Sequence, residues 1–347
     1  MNLHFLIAGN IDSLICRSIY NKRVIEGLRK KKHHVEVHNL NDDFPFPSEG
    51  SLENCNLIIR SIPKHDSIII DSQVLGTIPS FLKEIHTTNP IIGLIHLPLS
   101  VDPNLTTYQR TMVTDHEKES FGYVKKFIAS SEYTAEILLN FGLDDQKIDT
   151  VIPGLDKFPL KKEYSEKPFH LLSISNLCRN KDHSILLRAL SALKDKDWIL
   201  DCYGNLDMDR EYLSDFQAMI RHNHLQHKIL IHGTINGEAL SEAYLKADLF
   251  VHPSDFEVYG MALTEALAHG IPVVASTGGG ICRTVPARMG QFFKPGDIYG
   301  LQSILEELFE NQVIYKKLYT QASTYHEQAQ SWEKSVQLFE EALKEIV

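Results

Sequence analysis

The stretch Phe250–Gly280, FVHPSDFEVYGMALTEALAHGIPVVASTGGG, constrains this chain more than any other. Asp248–His252 is apolar enough for a buried strand, and Pro253–Phe256 is turn material. Met261–His269 reads as a short helix with Ala and Leu on its packing side. Gly270, a residue type favoured just past a helix end, closes it. Ile271–Ala275 reads as a second buried strand and Ser276–Gly280 as a glycine-rich loop. Strands that alternate with helices in this way predict a doubly wound parallel α/β sheet.

Within this stretch Glu257 precedes the helix and Glu265 lies about two turns along it. The helix start between them, Val258 to Met261, offers free backbone N–H groups, and the helix dipole favours an anion there. Gly260 permits close approach to the backbone. Two carboxylates that accept from hydroxyls, flanking a phosphate site, suit a sugar–diphosphate–ribose ligand. On spacing alone, two Glu eight apart are more often exposed neighbours of a core helix.

The whole string resembles the donor-site signature of the family 4 retaining glycosyltransferases of the GT-B fold (glycosyl transferases group 1). The match runs over Pro-Ser, Glu-x7-Glu, Ala-Leu-Ala-x-Gly-x-Pro-Val-Val-Ala-Ser and Gly-Gly. The resemblance implies that Glu257 touches donor sugar hydroxyls and that Glu265 holds the ribose. It places the diphosphate on the amides of Tyr259, Gly260, Met261, Ala262 and Leu263. It also implies two Rossmann-like doubly wound domains facing a central cleft, with the last helix returning to the first domain.

The remaining chain supports two such domains. A length of 347 residues makes two the prior. Residues 1–155 alternate strands and helices. The strands fall at Leu3–Ala8, Val35–His38, Leu57–Ile59, Ser67–Asp71, Ile91–Ile95, Phe127–Ser130 and Ile148–Ile152. Helices are expected at Ser18–Lys31, Leu75–His86, Thr107–Phe121 and Ser131–Phe141. Pro153–Pro168, rich in Pro, Lys and Glu, reads as a linker. Residues 165–327 repeat the alternation, with strands at His170–Ser175, Trp198–Tyr203 and Ile229–His232 before the donor string. Helices are expected there at Ser184–Leu193, Asp209–His222, Gly237–Leu245, Ile298–Glu310 and Gln312–His326. Residues 328–347 contain an amphipathic helix, Ser331–Ile346, assigned to the first domain by the resemblance.

Composition narrows the partners. A net charge of −10 argues against nucleic acid. Five scattered cysteines without CxxC spacing suggest free thiols in a reducing compartment. No apolar run approaches the length of a membrane span, and the N-terminus reads as a first strand. The expected location is therefore cytoplasmic. The basic run Arg29–His34 reads first as a helix C-terminus whose cations complement the dipole, and second as a patch for an anionic membrane face. His33–His34 and His222, His224 and His227 lack partner ligands in the sequence and read as surface residues.

Three further regions carry chemistry. Ser173–Asp182 (SISNLCRNKD) places Lys181 and Arg179 where cations could neutralise a departing diphosphate. The family pattern there is Gly-Arg followed five residues later by Lys. Lys181 matches, while Ser175 and Asn176 stand at the Gly-Arg positions, and Arg179 is the candidate for the missing charge. In Ile91–Ser100 (IIGLIHLPLS), His96 follows a buried strand; the resemblance puts it near the donor's anomeric carbon. Asp71 shapes the acceptor side on that reading, or caps the next turn. On the same resemblance Gly9 is what remains of the family's N-terminal Gly-rich loop, and Gly204 is expected to border the nucleotide. His232–Ile235 (HGTI) falls at the base-binding loop, which assigns Thr234 and Ile235 to the donor site. Thr277–Gly280 is expected to bring backbone amides to the distal phosphate, and Arg283 stands where relatives carry Glu. Asp207-Met208-Asp209 mimics a metal-binding DxD but is better read as a helix cap.

The resulting expectation is a retaining, metal-independent glycosyltransferase with His96, Lys181 and Glu257 as catalytic residues. It needs no cofactor beyond the nucleotide sugar, and its acceptor is a glycan, lipid or small molecule. The competing reading is a nucleotide-sugar-binding scaffold of the same fold. A phosphorylase of similar architecture would need a pyridoxal-phosphate lysine, for which the sequence offers no candidate.

Overall fold

The computed structural model describes residues 1–13, 16–161 and 169–346. It divides into two units, Met1–Gly154 with Gln330–Val347, and Leu155–Ala329. The linker's residues 162–168 lie outside the described residues.

The first unit holds β1 (Asn2–Ala8), β2 (His34–Leu40), β3 (Ser67–Asp71), β4 (Ile91–Ile95), β5 (Lys126–Ala129) and β6 (Ile148–Thr150). They pair in parallel in the order β2-β1-β3-β4-β5-β6. Both faces are covered, so the central strands are apolar on both sides. Leu6, Ile70 and Ile95 face a core shared with Cys55 and Ile59 of the helix Glu49–Ser61. Leu3, Phe5, Ile7 and Ile92 face another core shared with the helices Cys16–Lys30 and Trp332–Lys344. Phe339 of the latter is fully buried and stacks on Phe5. A buried side chain of this size contributes roughly 1.5–3 kcal/mol.

The second unit holds β7 (Phe169–Ile174), β8 (Trp198–Tyr203), β9 (Ile229–His232), β10 (Leu249–His252), β11 (Val273–Ser276) and β12 (Gly290–Phe293). Their parallel order is β12-β11-β10-β7-β8-β9. The order runs outward from β7 in one direction and from β10 in the other. This makes β7/β10 the topological switch point, where the loops after the two strands part and leave a crevice for ligands. In the first unit the switch falls at β1/β3. The buried Lys161 anchors the start of the second unit: its Nζ lies 2.8 Å from Asp248 Oδ1 and donates to the Ala247 carbonyl.

The fold class matches the expectation, with local corrections. Leu57–Ile59 is helical, not a strand. Ser48 caps the helix Glu49–Ser61, whose buried positions Ser51, Cys55 and Ile59 recur at helical spacing, and Leu57 points outward at 70% exposure. Leu75–His86 is two helices, Ser72–Leu75 and Pro79–Ile85. Pro79 opens the second one, at the position where its missing N–H costs nothing. Gln312–His326 is likewise split into Gln312–Ala322 and Tyr325–Gln328. β12, an outer strand of mixed polarity, lacks the apolar run that would have marked it.

Candidate donor and acceptor sites

In the second unit the loops after β7, β10 and β11 are stitched together through their backbones. Asp255 N–H donates to the Asn180 carbonyl, and Gly280 N–H donates to the Glu257 carbonyl at 2.7 Å. The glycines of Thr277–Gly280 serve this stitching. A Cβ on Gly278 would meet the Asp255 carbonyl oxygen at 2.1 Å. The Gly278 N–H itself goes to Ser276 Oγ, and Thr277 N–H to the Phe293 carbonyl. The expectation that this loop as a whole offers its amides to a phosphate therefore needs correcting: the amides of Thr277, Gly278 and Gly280 are already bonded within the protein.

The stitching fixes Glu257. Its Oε2 lies 2.6 Å from Lys181 Nζ and 3.1 Å from His252 Nε2. Lys181 ends a short helical turn, Arg179–Lys181, before Asp182 turns into the helix His183–Ala192. Burial opposes the charge on Glu257, but the Lys181 ammonium and His252 outweigh it and hold the carboxyl far below its usual range. It is thus a fixed carboxylate that can accept from hydroxyls. Close by, burial pushes His183 down to about 3, which keeps it neutral against Ser173 and Ser175.

The helix Met261–Ala268 starts immediately after this carboxylate. Gly260 takes the left-handed φ of +81° that the turn into the helix requires, and no side chain caps the first turn. Leu263 differs from its neighbours: its side chain is fully buried in the core and its N–H donates to the Gly260 carbonyl. About one turn along the helix, not two, Glu265 accepts from Tyr244 Oη at 3.0 Å. Burial raises its carboxyl to about 7.

Other predicted donor residues are placed less centrally. Asn176, at the family's Arg position, follows β7 and is half-buried. Arg179 is 59% exposed and turned toward the helix Arg210–His222, with Nη2 2.7 Å from Glu211 Oε2 and Nε 3.5 Å from Asp209. Gly204 packs under the Ser175 carbonyl. Thr234 is exposed and Ile235 half-buried, after β9. Asp209 caps its helix by accepting from Tyr212 N–H. Arg283 is exposed on the short helix Ile281–Thr284.

In the first unit, His96 stands at the carboxyl end of β4 within a buried polar network. Its Nε2 is 2.9 Å from Asn21 Oδ1 and its Nδ1 is 3.1 Å from Ser130 Oγ. Asn21 Nδ2 donates to Asp71 Oδ2 at 3.1 Å, and Arg17 Nε lies 3.5 Å from the same oxygen. Burial, partly countered by Asp71, lowers His96 to about 4, so the ring is neutral near pH 7. Asp71 also caps the helix Ser72–Leu75, the turn-capping role that its sequence position suggested. Gly9, with φ +75°, turns the chain after β1. The loop after His96 is held by the buried Glu117, which accepts from Leu99 N–H and Ser100 N–H.

Sequence reasoning missed His252, Tyr244, Asn21 and Ser130. His252 was findable, five residues before Glu257 in the same string. The other three are set by tertiary contacts with residues far along the chain.

The two Rossmann-like sheets and their strand orders define a GT-B fold, and residues 156–328 match the family model for glycosyl transferases group 1. The chain belongs to that family through its second unit. Among solved structures, it is similar to sucrose-phosphate synthase from Thermosynechococcus elongatus, at 15% identity and TM-score 0.82, over 99% of this chain and 98% of that one. It is also similar to Anabaena HepE in complex with UDP, at 17% identity and TM-score 0.80, over 99% and 100%. Among curated proteins, mannosylfructose-phosphate synthase of Agrobacterium fabrum is 25% identical over 222 residues, 58% of this chain and 49% of that protein. A sulfoquinovosyl transferase of Arabidopsis thaliana is 35% identical over 101 residues, 27% of this chain and 20% of that protein. The chain thus spans half or less of the length of these curated relatives.

Proposed function

We propose that the protein is a retaining glycosyltransferase that moves a sugar from a UDP- or GDP-sugar to an acceptor hydroxyl without a metal ion or further cofactor. The observation that carries this reading is the convergence at the β7/β10 switch point. Lys181 and Glu257 meet there beside an uncapped helix start, with Glu265 about one turn along.

In this reading Glu257, fixed as a carboxylate, accepts from hydroxyls of the donor sugar. Glu265 accepts from the ribose hydroxyls, and the amides from Tyr259 to Ala262 receive the diphosphate. Lys181 neutralises the charge that develops as the diphosphate leaves. The first unit binds the acceptor, with neutral His96 orienting the reacting groups. The acceptor oxygen bonds the anomeric carbon as the bond to the diphosphate oxygen breaks. The proton passes to the leaving phosphate, and attack on the departing face retains the configuration. The nucleotide choice draws on the relatives: HepE is solved with UDP and with UDP-glucose, and a 32% identical Mycolicibacterium smegmatis relative is GDP-mannose-dependent. The acceptor is a glycan, a lipid or a small molecule. The protein acts in the cytoplasm, and if Arg29–Lys32 serve a membrane face, contact there is peripheral.

A thermal-shift panel with UDP, GDP and ADP, with and without magnesium, tests the donor site. A ligand at a hundredfold its Kd adds about 2.7 kcal/mol of stability. The expected result is a shift with UDP or GDP that is indifferent to magnesium and lost in Glu265→Ala. No shift with any nucleotide would overturn the reading. An inverted product would remove the retaining mechanism. The replacement of the family Arg by Asn176, with Arg179 turned to Glu211, favours the scaffold alternative; nucleotide binding without turnover of any donor would establish it.

A further inference from the structure

At the opposite end of the first sheet from His96, the parallel register brings three metal-ligating side chains together. β1 and β2 pair so that His4 lies beside Glu36, and Glu36 and His38, two residues apart, share its face of the sheet. His4 Nδ1 lies 3.1 Å from His38 Nε2 and 3.6 Å from Glu36 Oε2, and one ligand atom from each residue falls within a 4.8 Å sphere of mutual distances. Tetrahedral zinc with bonds near 2 Å separates its ligand atoms by about 3.4 Å. The two measured separations bracket that value.

We propose that His4, Glu36 and His38 form a binding site for a divalent transition metal of the zinc class, with the fourth position left to water. The surroundings have the form of a metal site's outer shell. His4 is buried, and its other nitrogen, Nε2, faces Asp66 Oδ2 at 3.2 Å. That carboxylate places the ring proton on Nε2 and leaves the Nδ1 lone pair for the metal, as in carboxylate–histidine–metal triads. Asp66 is itself held by Asn2 Nδ2 at 3.0 Å. Glu36 Oε1 accepts from His34 Nε2 at 3.1 Å, which leaves Oε2 turned to the cluster. Two neutral imidazoles and a carboxylate are a nitrogen–oxygen set suited to zinc, nickel or copper, not to calcium or magnesium.

The site's work is structural. His4 precedes the candidate acceptor end of β1, at Gly9, by about 16 Å of strand. The ligands join the edge strand β2 to β1, and Asp66 ties in the turn before β3. A metal here would pin the outermost strand of the sheet without touching the proposed transfer reaction, whose metal independence concerns the second unit.

The test uses tag-free full-length protein and Zn²⁺ or Co²⁺ alone. Expected are one equivalent of zinc bound with micromolar or tighter Kd, a melting temperature that rises with zinc, and visible ligand-field bands with Co²⁺ typical of four-coordination. The Zn²⁺ Kd should rise at least tenfold in His38→Gln and in Glu36→Gln, and about 10–100-fold in Asp66→Asn. His222→Gln, on an exposed helix end, should bind as the unmodified protein does. Because Glu36 is half exposed, its variant should fold even if changes nearer the buried His4 do not. Zinc binding that is absent, or unchanged in both His38→Gln and Glu36→Gln, would overturn the proposal.

Discussion

Glu265→Gln should make the protein more stable at alkaline pH while weakening nucleotide binding. The buried carboxyl titrates near 7 instead of its ordinary 4.5, because burial disfavours its charge, the Tyr244 hydroxyl only partly offsets that, and Asp156 adds a smaller repulsion. With the folded value raised, the folded state holds the proton more tightly than the unfolded chain does. Its stabilising effect is complete below about 4.5 and is lost as pH rises through about 7. Linkage puts the cost of ionising the folded carboxyl at about 1 kcal/mol at pH 5 and about 3 kcal/mol at pH 8. Gln keeps the shape, still accepts from Tyr244 Oη and carries no charge. Denaturation across pH should therefore show Glu265→Gln gaining about 2 kcal/mol relative to the parent between pH 5 and pH 8. At roughly 2–4 °C per kcal/mol, that is about 4–8 °C in melting temperature. The same variant should lose at least tenfold in nucleotide affinity, since an amide is a weaker acceptor for ribose hydroxyls than a carboxylate. A pH-independent difference between the two proteins would refute the burial argument, and unchanged nucleotide affinity would refute the ribose role.

Three further substitutions separate roles within the second unit. Lys181→Ala leaves the Glu257 carboxylate with His252 alone, so turnover should fall by about a hundredfold or more and stability by about 3 kcal/mol; steady-state kinetics and urea denaturation read the two effects, and near-normal turnover would remove Lys181 from catalysis. Arg179→Ala removes an exposed ion pair with Glu211, so stability should change by less than about 0.5 kcal/mol. Its nucleotide affinity, read by calorimetry, should move less than about threefold, whereas a larger loss would show that Arg179 leaves Glu211 for the diphosphate. Gly204→Ala places a Cβ 1.9 Å from the Ser175 carbonyl oxygen, a backbone clash that no rotamer relieves. A fall in melting temperature together with weaker nucleotide binding is expected, and a neutral outcome would show that the loop after β7 is free to shift.

Much of the fold was legible because the central strands of a doubly wound sheet are buried on both faces and appear as short apolar runs. Ile68–Ile70, Ile91–Ile95 and Leu249–Val251 are of this kind. The misreadings came where that rule stops applying. Leu57–Ile59 is an equally apolar run, but it belongs to an amphipathic helix whose register is set by Ser48 and by the burial of Cys55 and Ile59, with Leu57 facing solvent. β12, GQFF, lies at the sheet edge, where one neighbour strand suffices and a Gln is tolerated, so no run announces it.

The site was legible only where its parts are local. Glu257, the helix start and Glu265 lie within nine residues, so one string carried them. Lys181 is 76 residues away from Glu257, and only the β7/β10 switch makes them neighbours. The same logic explains His96. Alone it is a histidine in a loop; its partners Asn21 and Ser130 are 75 and 34 residues distant and come to it from the helix Cys16–Lys30 and from the end of β5. Burial of that assembly keeps the imidazole neutral near pH 7, a property that depends on tertiary packing and on no single residue of the loop. It follows that His96 in the folded protein can accept or donate a hydrogen bond but cannot serve as a standing cation. On the proposed reading, the His96 carbonyl is the dipole that would face positive charge developing on the sugar. That carbonyl is already fixed by the Thr134 hydroxyl at 2.8 Å. Replacing Thr134 by Val would free the carbonyl and should lower kcat more than it raises KM, whereas a change in KM alone would assign that hydrogen bond to binding.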